Sequence, residues 1–410
     1  MNPMRKWRTA AEWVPVFILT GYVLYAGILR GWQMQSDFPN YYTSSRLLVE
    51  GIEMNRIYDN HWFAEQLTEH GFDQPGKFTP FPPPTALLMI PLTPFDPLTA
   101  KRIWLLMNVL LLIPTVCFIR KISGESRRFS WLLILVTGLG LANNFFLGQV
   151  YLLLLLALFT GYHLIMAKRE YAGAGIWGIA AAIKLIPVIF LLPFIIQKKW
   201  KPLAGFMAGF VAIHLLTILV TGREVYATYL SVLAHHLNGS IEGQSAFAYQ
   251  FQSWNALLRN LFVYDAVQNP HPWINLALLF QIGRLLIYAV VIAMAAKLIH
   301  DFRNHGDSAE MVMSITGIAV FELLPASATY HFILLLFPFL FLFRKANGVQ
   351  RIVLFYSFAA IGTLPVILQK LIPENAPVFF LFYRLWLMTI FWAAAMVVLK
   401  RIAKEEIAIP

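Results

Sequence analysis

Apolar runs of roughly membrane length alternate with short basic clusters along this 410-residue chain, and that alternation predicts a bundle of membrane helices. After a basic start (Arg5, Lys6, Arg8), the first run covers 13–29. No small-x-small cleavage site follows it, so it reads as an uncleaved first helix rather than a signal peptide. Further spans are expected at 100–119, 131–147, 150–166, 203–220, 273–299, 312–324, 332–343, 352–368 and 378–399.

The basic clusters between these runs are Arg120/Lys121/Arg127/Arg128, Lys168/Arg169, Lys198/Lys199/Lys201, Arg303, Arg344/Lys345/Arg351 and Lys400/Arg401/Lys404. The excess of Lys and Arg in cytoplasmic loops assigns all of them to one side. Two segments must cooperate. The run 82–98 carries six prolines, whose freed backbone groups need partners at membrane depth, so it is expected to lie outside as a shallow interfacial helix. The run 173–196 is broken by Lys184 and Pro187 and is expected to fold as a hairpin with Lys184 at its outer tip. The result is an all-α, polytopic integral membrane protein. It is one domain over 1–410 with about 12 membrane segments and both termini cytoplasmic. A large outer loop at 31–99 carries interfacial helices, and a second outer loop covers 221–272.

Composition agrees with this class. The chain is 59% hydrophobic and only 13% charged, with a mean hydropathy of +0.63, whereas soluble domains carry about 25% charged residues. The 12 Trp and 16 Tyr suit amphipathic rings at the two interfaces. A net charge of +11 could suggest nucleic acid, but its dispersal between apolar runs argues for loops instead. The single cysteine, Cys117, rules out an intrachain disulfide.

Candidate chemistry concentrates in the outer loops. Asp37 follows the first span in Ser36-Asp37-Phe38-Pro39-Asn40-Tyr41-Tyr42. A helix over 41–49 is expected to lie on the membrane surface with Leu47 and Leu48 in lipid. Asp37 then serves either as a base that deprotonates an acceptor hydroxyl or as an exposed helix cap. Lys184, a charge within apolar sequence, faces either a lipid-linked phosphate or the interface by snorkelling. His331, in Ala328-Thr329-Tyr330-His331, is either a donor to phosphate or a structural histidine. Glu322, unusual in an apolar helix, pairs with a cation or binds sugar. Arg259 and Arg284 are weaker phosphate candidates. Adjacent His235 and His236 lack further ligands at metal-binding spacing, and no glycine-rich phosphate loop or dinucleotide fingerprint appears.

Together the chain resembles the polyprenol-phosphate-mannose-dependent mannosyltransferases of glycosyltransferase family 87, within the GT-C superfamily. The matching residues are Asp37 with Tyr41/Tyr42, Gly51, Ile57-Tyr58, Phe81-Pro82-Pro83 with Pro91-Leu92, and Trp104/Asn108. Gly148-Gln149, the Lys184 to Pro187 elbow before Lys198-Lys199-Trp200, Ser253-Trp254-Asn255 and His331 complete the set. The likeness runs from about residue 30 to 345. It implies a GT-C-type bundle, Asp37 as catalytic base, and inverting transfer of a sugar, mannose first, from a polyprenyl-phosphate donor to a lipid or glycan acceptor. It also implies an active site on the extracytoplasmic face of the inner or plasma membrane. Lys184, His331 and Arg259 are then expected to hold the donor phosphate. Tyr41, Tyr42, Asn144, Gln149, Asn255 and Glu322 are expected to contact sugar or acceptor. Related enzymes sometimes hold a divalent metal on an acidic pair. Here the residue after next to Asp37 is Pro39, so no metal or other cofactor is assigned. Two alternatives stand beside this reading: the same fold using polyprenyl-phosphate arabinose, glucose or galactose, and a lipid or small-solute transporter, which would be expected to show internal repeats.

Overall fold

The computed structural model describes residues 13–35, 37–237, 245–303 and 308–407. Arg5, Lys6, Arg8 and Ser36 lie outside the described residues. Helices account for the fold; the only β feature among the described residues is an isolated bridge between Asp265 and Asn269. Helix α1 (Val14–Val23) continues as a π-helical stretch to Leu29. The loop that follows carries α2 (Asp37–Val49) and α3 (Asn60–Glu69), then short 3-10 turns at Pro83–Leu87 and Ile90–Leu92. Next come α4 (Pro97–Ser123), α5 (Arg127–Leu135), α6 (Gly138–Leu147), α7 (Tyr151–Met166) and α8 (Glu170–Ile183). A 3-10 segment at Ile186–Leu191 leads into α9 (Leu192–Ile196), followed by α10 (Trp200–Thr221), α11 (Glu224–Leu237), α12 (Trp254–Phe262) and α13 (Ala277–Phe302). The chain closes with α14 (Ser308–Leu323), a 3-10 turn at Thr329–His331, α15 (Phe332–Lys345), α16 (Gly348–Leu371), α17 (Val378–Leu381) and α18 (Tyr383–Ile407).

Among the described residues, five helices (α4, α10, α13, α16 and α18) are long and apolar enough to cross a membrane, with mean hydropathy between 1.7 and 2.3 over their best windows. The α5–α6 pair, bent by 69°, makes a sixth if it is one broken span. In α13 and α10 only 11% and 17% of that window is buried. Apolar surface left this open is what lipid requires and water forbids. Several other runs expected to span form shorter apolar helices. Helix α15 is 14 residues long, about 21 Å at the α-helical rise against a hydrocarbon core of about 30 Å. Every residue from Phe332 to Phe343 is buried. Helix α15 is therefore the packed centre of the bundle, and α7 and α14, each 16 residues, flank it.

The 31–99 loop is tied down by the prolines of its second half. The sequence reading made 82–98 a shallow helix; it forms the two 3-10 turns instead, because six prolines remove the N–H groups a helix needs. The carbonyls left over are satisfied by side chains from α2. Tyr42 donates to the Phe95 carbonyl and Ser45 to that of Ala86, each at 2.7 Å. Arg46 donates to the Thr93 carbonyl, also at 2.7 Å. Helix α2 is consequently sandwiched rather than floating. Leu47, expected in lipid, is fully buried, since the proline segment covers the face it presents.

The chain turns back at Lys184, as expected for a hairpin. Trp177 on the outgoing arm meets Phe190 and Phe194 on the return arm, with ring centroids 6.2 and 5.9 Å apart. Helix α8 also packs closely on α10 through glycines. A Cβ at Gly178 would sit 2.1 Å from the Phe206 carbonyl, and one at Gly209 would sit 2.2 Å from that of Gly175. Gly205 and Gly209 form a small-xxx-small stripe, the usual means of close helix approach in membranes.

Candidate active site

The site assembles where the N-terminus of α2, the α6–α7 turn, the Lys184 hairpin tip and the Thr329–His331 turn meet. Its scaffold is the α6–α7 turn. Gly148 closes α6 in a left-handed conformation at φ +75°, and a Cβ there would meet Lys101 Nζ at 2.8 Å and Phe38 at 2.9 Å. Only glycine fits. Lys101, fully buried, donates to the carbonyls of Phe145 and Phe146 at 3.2 and 3.1 Å. A cation at a helix C-terminus also answers the negative end of the helix dipole. Trp104 Nε1 donates to the Gly148 carbonyl at 2.9 Å.

Asn144 completes the turn. Its side-chain carbonyl accepts the backbone N–H of Tyr151 at 3.0 Å, satisfying an otherwise orphaned group at the start of α7. Its amide donates to Asn108 Oδ1 at 3.1 Å. With both ends engaged and no exposed surface, Asn144 braces the turn.

This brace aims Gln149. Gln149 Nε2 donates to Asp37 Oδ2 at 2.7 Å, and its Oε1 accepts from the Tyr41 hydroxyl at 2.7 Å. Tyr41, itself stacked on Phe81 at 4.9 Å and 6°, therefore fixes which way the amide points, and the amide fixes the carboxylate. Asp37 is half-buried. The protein packed around it pushes its pKa up; the Gln149 hydrogen bond and the charges of Lys184 and Lys101 pull the other way and do not fully offset burial.

Lys184 lies across from it, at the break between α8 and the return arm. Its ammonium sits 3.6 Å from the centroid of the Phe81 ring, and 5.4 and 5.8 Å from those of Tyr41 and Tyr151. Aromatic faces hold a desolvated cation favourably. Burial lowers its pKa to about 7 despite the attraction of Asp37. His331 packs on Tyr151 at 5.1 Å, and its Nδ1 accepts the Ala328 N–H at 3.3 Å. Burial, with Lys184, His236 and Arg384 nearby, lowers its pKa to about 3. The imidazole is neutral, and the bond at Nδ1 puts its proton on Nε2 as a donor.

The remaining expected residues fall into three places. Tyr42 donates its hydroxyl to the Phe95 carbonyl. Glu322, 1% exposed, accepts from Trp254 Nε1 at 2.7 Å and from Thr389 at 3.1 Å through Oε2, while Oε1 has no partner among the described residues. Arg259, Asn255 and Arg284 form a separate group where α12 meets α13: Arg259 lies over Phe280 at 4.8 Å and Arg284 donates to Asn255 at 3.3 Å. Among the described residues no three His, Cys, Asp or Glu side chains gather at metal-binding distance. Sequence reasoning passed over Lys101, Tyr151 and Arg384. Lys101 and Arg384 had the signal that exposed Lys184, a charge beside or within an apolar run.

The sequence model of glycosyltransferase family 87 matches residues 78–327, which covers the braced α6–α7 turn, Lys184 and Glu322. No curated protein matches the chain. Asp37 and His331 stand outside the matched stretch, joined to it by the hydrogen bond from Gln149 and the packing on Tyr151. With a family match over more than half of its length and apolar helices able to cross a bilayer, this chain belongs to glycosyltransferase family 87 and is an integral membrane glycosyltransferase.

Proposed function

We propose that the protein transfers a sugar, mannose first, from a polyprenyl-phosphate donor to a lipid or glycan acceptor at the extracytoplasmic face of the inner or plasma membrane, with inversion. The observation that carries this reading is the pairing of one oriented carboxylate, Asp37 on Gln149, with a buried cation, Lys184, that has no carboxylate at salt-bridge distance among the described residues. A glycosyl transfer from a lipid phosphate needs those two things: a base for the incoming hydroxyl and positive charge for the departing phosphate.

In the proposed step the acceptor oxygen attacks the anomeric carbon and a new C–O bond forms. The bond from that carbon to the phosphate oxygen breaks, and its electron pair leaves with polyprenyl phosphate. The hydroxyl proton passes to Asp37, whose raised pKa makes it a better base than an ordinary surface aspartate. Lys184 and the Nε2–H of His331 neutralise the charge growing on the leaving phosphate, which stabilises the transition state more than the ground state. Attack opposite the leaving group in a single displacement inverts the configuration. Glu322, with its free Oε1, is the residue we assign to sugar hydroxyls. Membrane association of the substrate follows from the lipid-facing helices, which let a polyprenyl tail remain in the bilayer while its head group enters the site.

The test is a donor panel. Purified protein in vesicles is given radiolabelled polyprenyl-phosphate mannose, glucose, galactose and arabinose, or a nucleotide sugar, with membrane lipid extract as acceptor. Product from polyprenyl-phosphate mannose alone supports the full reading. Product from another polyprenyl-phosphate sugar changes the sugar only, and product from the nucleotide sugar alone refutes the donor class. No product from any polyprenyl-phosphate sugar would overturn the proposed donor.

A further inference from the structure

Arg384 is the second residue of α18 and is 5% exposed. The strap formed by Gln250–Trp254 holds it from two sides. Gln252 Oε1 accepts the backbone N–H of Arg384 at 2.7 Å while its own amide donates to the Leu381 carbonyl at 2.8 Å. The guanidinium donates through Nη2 to the Gln250 carbonyl. Its Nη1 is buried and has no acceptor among the described residues, and no carboxylate there lies within salt-bridge distance of it. A permanently charged guanidinium in such a place is costly unless an anion completes it.

The same strap leads into the active site. Ser253 donates to the Pro325 carbonyl at 2.7 Å, just ahead of the Thr329–His331 turn, and Trp254 donates to Glu322. Thr389, one and a half turns along α18 from Arg384, donates to that same carboxylate. The first turns of α18 are thus tied, through the strap and Glu322, to the chain just ahead of the Thr329–His331 turn. The charge of Arg384 is felt at both His331 and Tyr330, on the turn that borders the site.

We infer that Arg384 is a ligand of the donor's phosphate, its free Nη1–H donating to a non-bridging oxygen beside Lys184 and His331. The inference rests on the polyprenyl-phosphate reading above. The fixed fork of a guanidinium suits a tetrahedral oxyanion in a way that a lysine point charge does not.

The experiment compares wild type, Arg384→Gln and Arg384→Lys in vesicles. It measures donor KM, acceptor KM and inhibition by the product, polyprenyl phosphate, with melting temperature in detergent as a check on folding. Loss of a charge-assisted hydrogen bond weakens binding by at least about tenfold. Arg384→Gln is expected to raise donor KM and the polyprenyl phosphate inhibition constant by that factor, with acceptor KM unchanged, and Arg384→Lys is expected to recover part of both. Unchanged donor KM and inhibition in Arg384→Gln would overturn the inference, as would a rise in acceptor KM alone, which would assign the guanidinium to an acceptor anion. If Arg384→Gln fails to fold, the same two constants in Arg384→Lys decide: values equal to wild type overturn a role for the fork. A wild type that neither transfers from polyprenyl-phosphate sugars nor is inhibited by polyprenyl phosphate defeats the underlying reading instead.

Discussion

Three side chains determine how the candidate base behaves, and each was visible in the sequence with a different clarity. Asp37 was legible because a carboxylate directly after a span is unusual. Gln149 and Tyr41 were legible only as parts of a motif, since nothing in their spacing says that the amide bridges phenol and carboxylate. Their geometry makes a pH prediction. The Gln149 hydrogen bond favours the charged form of Asp37, so Gln149→Ala should move the acid limb of kcat/KM to higher pH while lowering its plateau. At the other end, Lys184 titrates near pH 7 in the free protein, and its cationic form is lost as pH rises through that value. Wild-type kcat/KM should therefore decline above about pH 7, since this parameter reports groups of the free enzyme. Lys184→Arg, charged throughout, should remove that alkaline decline. An alkaline limb that persists unchanged in the arginine variant would take Lys184 out of the charge-bearing role. What the sequence hid about Asn144 was its bracing role: its side-chain carbonyl accepts the Tyr151 N–H of α7 and its amide reaches Asn108 on α4.

At the scale of elements, proline and glycine decide what apolarity alone cannot. The run 82–98 is apolar enough to suggest a helix, yet its prolines turn it into 3-10 turns whose carbonyls bind Tyr42, Ser45 and Arg46. That exchange is what fixes α2, and with it Asp37, against the proline segment. The hairpin at Lys184 could be anticipated from a charge next to a proline. The closeness of its outgoing arm to α10 could not, because the glycines of both helices are scattered through runs that read simply as hydrophobic. Helix α10 buries little else, so its attachment depends on that glycine stripe. Gly209→Leu would drive a side chain into the Gly175 backbone, and overpacking of this kind costs about 1–3 kcal/mol. The variant should melt several degrees lower in detergent and lose activity through a displaced Lys184. An unchanged melting temperature would mean that α10 can move away at no cost.

For the molecule as a whole, class was readable and depth was not. Hydropathy identifies membrane helices but does not separate those facing lipid from those facing other helices. Helix α15 is as apolar as α10 and lies at the opposite extreme of burial. A run of 332–343 that is too short to span yet apolar throughout is the trace of a buried central helix, a pattern length could have flagged. Charge told a similar story in part: Lys101, Lys184 and Arg384, each within or beside an apolar run, are buried, whereas Lys297 within α13 is exposed. The exposed apolar helices suit the proposed reading, in which the substrate's tail stays in lipid while its head group reacts. The most direct test of that account is initial transfer velocity in vesicles from polyprenyl-phosphate mannose, wild type against Asp37→Asn at matched amounts and melting temperature. The account predicts that the variant, nearly isosteric but without a base, binds donor normally and loses about 100- to 10,000-fold in kcat. Transfer by Asp37→Asn at the wild-type rate would contradict it.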